Sequence, residues 1–283
     1  MLIFEGIDPI KTHLSKLKFN NKSIGFVPTM GALHDGHISL IQASKAENDI
    51  TVCSIYINPT QFNKDSDLNN YPRVIEQDVE LLHKSGCDIL FTPSDQEIYA
   101  QKPILQLNFG YLETLMEGKF RNGHFNGVGI IVAKLLNIVQ PTNIYFGQKD
   151  LQQYLIIRQL VKDLSFDVNL ICLPIVREPD GLAMSSRNLR LSKANRKLAT
   201  SFYEVLLKAK RVILENSNIA LAKSFVNNYF VDSDVIKLEY FEVLDSNTLK
   251  IINNLEDHPH VSLFIAGYIG EIRLIDNIYL HSS

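Results

Sequence analysis

The chain has 283 residues, 46% of them hydrophobic, with 28 basic side chains against 31 acidic ones and a formal charge of -3. That length and apolar content exclude a disordered chain and, at roughly 100 to 200 residues per domain, point to two domains. The near-neutral balance gives no general surface for a polyanion, so nucleic acid is not expected as a partner, and no run approaches the ~18 apolar residues of a membrane span. The opening "MLIFEGIDPIKTHLSKLK" lacks the basic start and long apolar centre of a signal peptide. Cys53, Cys87 and Cys172 are widely spaced, each in or beside an apolar segment. They read as reduced thiols rather than a disulfide or metal framework, so a soluble, cytoplasmic protein is expected.

Taken in chain order, "SIGFVP" (23–28), "DITVCSIYI" (49–57), "CDILFTP" (87–93), "TNIYFG" (142–147) and "DVNLICLP" (167–174) read as strands. They are nearly continuously apolar rather than alternating, as in a parallel sheet covered on both faces. Helical segments are expected between them, over 37–48, 73–85, 127–139 and 150–164. In the last of these, Leu151, Leu155, Ile156 and Leu160 form one apolar stripe. Strand and helix in repetition predict an α/β fold, a Rossmann-like doubly wound parallel sheet, over residues 1–175. Beyond Val176 the pattern changes. A polar, basic stretch, "REPDGLAMSSRNLRLSKANRK", precedes helices expected over 193–216 and 218–229, then strands over 235–245, 260–270 and 272–280. Residues 176–283 are therefore expected to form a smaller α+β domain with a small mixed sheet, acting as a lid.

The stretch "PTMGALHDGH" (28–37) lies between the first predicted strand and the helix after it. Ligands of open α/β sheets collect at the carboxyl ends of strands, where the next helix offers free N–H groups to phosphate. His34 and His37 stand there, each able to donate a hydrogen bond to a phosphate oxygen. The plainer alternative is a helix start carrying two solvated histidines. Zinc is a weaker rival, because the pair lacks the i, i+4 spacing of HExxH and has no cysteine nearby. No GxxxxGK[ST] loop and no GxGxxG follows the first strand. Three further clusters follow strands or the domain boundary. In "NPTQF", Asn58 and Gln61 can orient hydroxyl and carboxylate groups. In "FGQKD", Lys149 suits phosphate and Asp150 a ribose hydroxyl or a helix cap. In "AMSSRN", Ser185, Ser186 and Arg187 suit a polyphosphate, against the alternative of a solvated basic loop.

Together these motifs resemble those of the pantothenate synthetase (pantoate–β-alanine ligase) family, within the nucleotidyltransferases that share an HxGH signature. "PTMGALHDGH" resembles that signature, "NPTQF" a pantoate loop, "FGQKDLQQ" a nucleotide and pantoate segment, and "REPDGLAMSSRN" the counterpart of a KMSKS loop. "YPR" (71–73), "GHFNGV" (123–128) and "RLIDN" (273–277) add to the likeness, which runs from about Ile24 to Asn277. The resemblance implies an ATP-dependent, AMP-forming ligase that activates pantoate as its adenylate and passes it to β-alanine, with Mg²⁺, as a homodimer. It implies nucleotide contacts at Met30, Gly31, Ala32, Leu33, His34, Asp35, Gly36, His37, Gly147, Gln148, Lys149, Asp150, Val176, Met184, Ser185, Ser186 and Arg187. His37 matches a proton donor, read here chiefly as a stabiliser of phosphate charge. Gln61 and Gln153 match the pantoate-binding glutamines. The chain departs from the family pattern at Asn69, Asn122 and Glu271.

Overall fold

The computed structural model describes residues 1–252, 254–255 and 258–281. They form two compact units, Met1–Gln148 with Gln152–Pro174, and Lys149–Leu151 with Ile175–Ser283. Lys149 thus belongs with the C-terminal unit, although sequence alone placed it with the sheet.

In the first unit the order is β1 (Leu2–Phe4), α1 (Ile7–Phe19), β2 (Ile24–Thr29), α2 (Asp35–Glu47), β3 (Ile50–Ile55), α3 (Asp65–Asn69), α4 (Ile75–Lys84) and β4 (Ile89–Phe91). Then come α5 (Asp95–Ile98), α6 (Met116–Phe120), α7 (His124–Val139), β5 (Asn143–Gly147), α8 (Leu151–Asp163) and β6 (Asn169–Leu173). The six strands form one sheet in the order β1-β4-β3-β2-β5-β6. Every pairing is parallel. The nearly unbroken apolar strands are explained by what lies on each face. Ile24, Phe26, Val52, Ile89, Phe91, Ile144 and Phe146 point into a core shared with Ile10 and Leu14 of α1, Val128 to Val139 of α7 and Leu160 of α8. The alternate residues Val27, Cys53, Leu90 and Tyr145 enter a second core with Leu40 and Ile41 of α2 and Leu82 of α4. Each fully buried Leu, Ile or Phe contributes roughly 1.5–3 kcal/mol, so both faces select apolar residues and the period of two disappears.

Strand β1 and helix α1 lie outside the elements foreseen. A three-residue edge strand whose Leu2 and Ile3 are half-exposed leaves no readable period.

The second unit holds α9 (Lys193–Leu198), α10 (Ser201–Asn216), α11 (Ile219–Phe230), β7 (Ile236–Asp245), β8 (Val261–Ile269) and β9 (Ile272–Tyr279). The expected single helix over 193–216 is two helices. The Thr200 and Ser201 hydroxyls donate to the Lys197 and Leu198 carbonyls at 3.0 and 2.6 Å, in competition with the main-chain ladder. The expected mixed sheet is wholly antiparallel, in the order β7-β8-β9. Only two residues, Gly270 at φ 58° and Glu271, join β8 to β9, and so short a link cannot make a parallel crossover. Helices α10 and α11 cover this sheet through Phe202, Leu206, Ile213 and Val226.

Candidate active site

Strand β2 lies between β3 and β5, and the chain winds outward from it through β3 and β4 before crossing to β5 on its other side. The β2/β5 neighbourhood is therefore the switch point of the sheet, the place where ligands of open α/β sheets bind. The loops at the carboxyl ends begin at Met30 after β2, at Tyr56 after β3 and at Gln148 after β5.

The first loop is held from below. Thr29 Oγ1 donates to the Ser54 carbonyl at 2.8 Å and accepts from the Gly31 N–H at 3.2 Å. Gly31 and Ala32 both lie in the left-handed region, at φ 80° and 50°. A Cβ on Gly31 would stand 3.0 Å from both Asp78 Oδ2 and Ile55 Cγ2, so the loop needs glycine there. The turn aims the Ala32 and Leu33 N–H groups at the buried carboxylate of Asp78 on α4, which accepts them at 2.8 and 2.7 Å. The chain then enters α2, with His34 at the N-cap position and Asp35 and Gly36 in the first turn. His37 Nδ1 accepts from the His34 N–H at 3.3 Å. With Nδ1 as acceptor, the neutral imidazole carries its proton on Nε2, which makes that atom the donor. The two histidine rings lie 4.1 Å apart at a tilt of 37°.

The second loop carries Asn58 and Gln61 on a 3-10 turn, Pro59–Gln61. Asn58 is 1% exposed and saturated within the protein. Its Oδ1 accepts from Tyr99 Oη at 2.9 Å and Thr60 Oγ1 at 3.0 Å, and its Nδ2 donates to Gln61 Oε1 at 3.1 Å and the Gly127 carbonyl at 3.2 Å. Asn58 was expected to touch substrate; here its amide is fully bonded, and one of those bonds holds Gln61. Gln61 Nε2 reaches Met30 Sδ at 3.0 Å, which joins this loop to the first. His124 Nε2 faces Arg121 Nη1 at 3.1 Å, and Arg can only donate, so the His124 proton sits on Nδ1 and is given to the Gln61 carbonyl at 2.9 Å. A Cβ on Gly127 would meet the Thr60 carbonyl at 2.3 Å, so glycine lets α7 pack directly on this turn.

Gln153 sits half-buried on the first turn of α8, and no described residue engages its amide. That is the opposite of Asn58, and it suits an incoming ligand. Its neighbour Gln152, buried, is fully occupied with the Glu117 N–H and the Leu112 and Leu115 carbonyls at 2.8–2.9 Å. Gly147 ends β5, and Gln148 is buried in the turn that follows.

Within the second unit, Val176 and Met184 close a hairpin, with the Met184 N–H on the Val176 carbonyl at 3.0 Å and a bridge from Arg177 to Ala183. Gly181, at φ 91°, turns it. Ser185 then caps a 3-10 turn, Ser186–Arg190, its Oγ accepting the Arg187 N–H at 3.3 Å. Ser186 is buried and Arg187 half-buried. Arg196 grips the hairpin through Glu178 at 2.5 Å and Asp180 at 2.8 Å, and this holds the Asp180 carboxyl below its usual range. Lys149, with 17% of its side chain exposed, lies 3.7 Å from the half-exposed carboxylate of Asp150.

Burial pushes the Cys87 thiol up to about 12 and the Cys172 thiol to about 11. Neither is a thiolate at neutral pH, and burial raises the Cys53 thiol as well. Among the described residues all three cysteines are free. No His, Cys, Asp or Glu group of metal-binding size is gathered there. Asn69, Asn122 and Glu271 are all exposed.

A family model described as pantoate-beta-alanine ligase matches residues 2–279. The chain belongs to the pantoate-beta-alanine ligase family. It is 47% identical to the pantothenate synthetase of Christiangramia forsetii over 100% of both chains, and 43% identical to that of Cytophaga hutchinsonii over 99% of both. In structure it is similar to the pantothenate synthetase of Thermus thermophilus, with a TM-score of 0.92 at 36% identity over 100% of both chains. A Francisella tularensis pantoate-beta-alanine ligase, solved in complex with beta-gamma ATP and beta-alanine, aligns with a TM-score of 0.82 at 38% identity over 100% of this chain and 99% of that one. The chain is thus an enzyme of ligase type with the α/β fold expected. Asp78 and Tyr99 were not singled out from sequence, and Gln152 and Asn277 entered only as members of "FGQKDLQQ" and "RLIDN". For Asp78 a signal existed, since it lies four residues before Leu82 on the buried stripe of α4, where a carboxylate needs a partner.

Proposed function

We propose that this chain joins pantoate to β-alanine at the expense of ATP, giving pantothenate, AMP and diphosphate through an enzyme-held pantoyl adenylate. The observation that carries the reading is the histidine loop at the sheet's switch point, with the His37 proton set on Nε2 by the bond that Nδ1 accepts. In the first half-reaction the pantoate carboxylate attacks the α-phosphorus, and charge builds on the phosphoryl oxygens and the departing diphosphate. His34, His37, Lys149, Ser185, Ser186 and Arg187 are the donors proposed to meet it. Mg²⁺ enters with the triphosphate as part of the substrate, held mainly by phosphate and water. Gln61 and Gln153 orient pantoate through neutral amides, which adds no fixed charge to trap the ground state. In the second half-reaction the β-alanine amine attacks the activated carbonyl and AMP leaves. That step rests on positioning and needs no enzyme nucleophile, consistent with the protonated thiols.

We place the enzyme in the cytoplasm, where ATP is available and three free thiols stay reduced. We also propose a homodimer, the commonest symmetric assembly. Sedimentation at micromolar protein giving only a 32.1 kDa species would reject the dimer. The reaction itself is tested by mixing protein, Mg-ATP, pantoate and β-alanine. Pantothenate with AMP supports the reading, and ADP with phosphate refutes it.

A further inference from the structure

The second unit contains a buried polar clamp that no role assigned above uses. Asp276 and Asn277, adjacent on β9, are 5% and 1% exposed. The Asp276 carboxylate receives both arms of the Arg177 guanidinium, Nη1 at 2.7 Å and Nη2 at 2.9 Å, a planar fork that only arginine offers. Arg177 also donates to the Gly181 and Asn277 carbonyls at 3.0 and 3.1 Å and lies 3.8 Å over the Tyr203 ring. A Cβ on Gly181 would strike that ring at 2.4 Å. The guanidinium therefore sets the hairpin from Val176 to Met184, out of which Ser185, Ser186 and Arg187 emerge. On the other side of the same strand position, Asn277 Nδ2 donates to the Lys149 carbonyl at 3.0 Å, a bond spanning 128 residues of chain. That bond fastens the lysine turn to the C-terminal unit, with which residues 149–151 are grouped. Burial pushes the Asp276 carboxyl upward while Arg177 pulls against it, so the pair depends on the fork staying closed.

We infer that Asn277, with the Arg177–Asp276 pair beside it, is a positioning residue for adenylation: it holds the main chain of Lys149 in fixed register with the Ser185–Arg187 loop. Four diphosphate donors are thereby set by two adjacent residues of one strand. The inference rests on Lys149 acting on the polyphosphate. A donor displaced by about an ångström loses on the order of 10²-fold in rate even though it is still present. Loss of the Asn277 amide should act in this way, and only on the half-reaction in which diphosphate departs.

The experiment compares Asn277→Ala, Lys149→Ala and Val226→Ala with the parent protein, at a temperature where all four are folded by circular dichroism. Val226 is fully buried on α11 in the core of the same unit, carries no polar group, and serves as a purely structural lesion. Pantoate-dependent exchange of diphosphate into ATP reads adenylation, and β-alanine capture of supplied pantoyl adenylate reads the second step. Asn277→Ala is expected to slow exchange about 10- to 100-fold with capture near the parental rate, and Val226→Ala to leave both near parental. Parental exchange in Asn277→Ala beside slow exchange in Lys149→Ala would overturn the clamp alone. Parental exchange in Lys149→Ala would overturn the lysine's role and the inference with it. Equal slowing of both steps in Asn277→Ala, or an equal effect of Val226→Ala, would reduce Asn277 to a structural residue.

Discussion

Replacing Asp78 by Asn tests whether the histidine loop is held from beneath. The parent carboxylate accepts two backbone N–H groups, from Ala32 at 2.8 Å and Leu33 at 2.7 Å, in a site 2% exposed. Asparagine keeps the shape and one carbonyl oxygen, but its NH₂ then faces the other N–H, donor against donor. One charge-assisted bond of about 1.5–3 kcal/mol is lost and a buried donor is orphaned, while removing a buried charge offsets part of the cost. The expected loss is about 2–4 kcal/mol. The chain has no tryptophan, so urea unfolding should be followed by far-UV circular dichroism, with each unit's transition fitted separately where two appear. Adenylation, measured where the variant is still folded, should fall by at least about 10-fold, because the Ala32–Leu33 backbone sets where His34 begins α2 and hence where the His37 ring points. A variant within about 0.5 kcal/mol of the parent, adenylating at the parental rate, would refute the argument, since substitutions free of any structural mechanism fall in that range.

His37→Ala should leave the fold intact and slow adenylation on the order of 10²- to 10³-fold, the usual cost of one donor acting in the transition state; near-normal AMP formation by the folded variant would remove it from the mechanism. Gln61→Ala and Gln153→Ala should raise the apparent KM for pantoate more than that for ATP, and initial-rate kinetics showing the reverse would invert the proposed division of the site. Gln61→Ala should also lower thermal stability, because its amide is tied to Asn58 and Met30, whereas Gln153→Ala should not. The Asp49 carboxyl is depressed to about 2 by Lys22 and by the Ser23 N–H and hydroxyl. A depressed carboxyl stabilises the fold above its unfolded value near 4 and loses that contribution as pH falls through 2, so Asp49→Asn should lower Tm at pH 7 and approach the parent as pH falls toward and below about 2; a pH-independent difference would place the effect elsewhere.

The sheet was legible because burial on two faces leaves a local mark: runs such as "TVCSI" carry no polar residue large enough to face solvent, and Gly and Pro punctuate them. The loops after β2, β3 and β5 were legible because polar residues, with Gly or Pro among them, interrupt each apolar run. Elements with no pattern of their own were not. Strand β1 is three residues long and takes its partner from Ile89–Phe91, far along the chain. The break between α9 and α10 depends on two hydroxyls choosing main-chain carbonyls, a local competition that a periodic apolar stripe does not reveal.

Least legible was the support beneath the reactive groups, and physics explains why. A loop that presents a donor to a charged transition state must be stiff before the charge forms, or the gain is spent on ordering it. Stiffness at a loop requires its backbone N–H and carbonyl groups to be satisfied by something that does not move with it. Here each such brace comes from elsewhere in the chain: Asp78 to Ala32 and Leu33, Tyr99 to Asn58, His124 to the Gln61 carbonyl, Asn277 to the Lys149 carbonyl. In sequence the partner of each brace is not visible: Asp78 and Tyr99 stand in no motif, and His124 and Asn277, within "GHFNGV" and "RLIDN", could equally touch substrate. Burial separates the two cases. A buried polar side chain with every donor and acceptor position of its head group taken within a reactive loop and its supports is acting through that loop. Asn58 meets that criterion, whereas Gln153, half-buried with an unengaged amide, keeps the capacity that the proposed substrate contact requires.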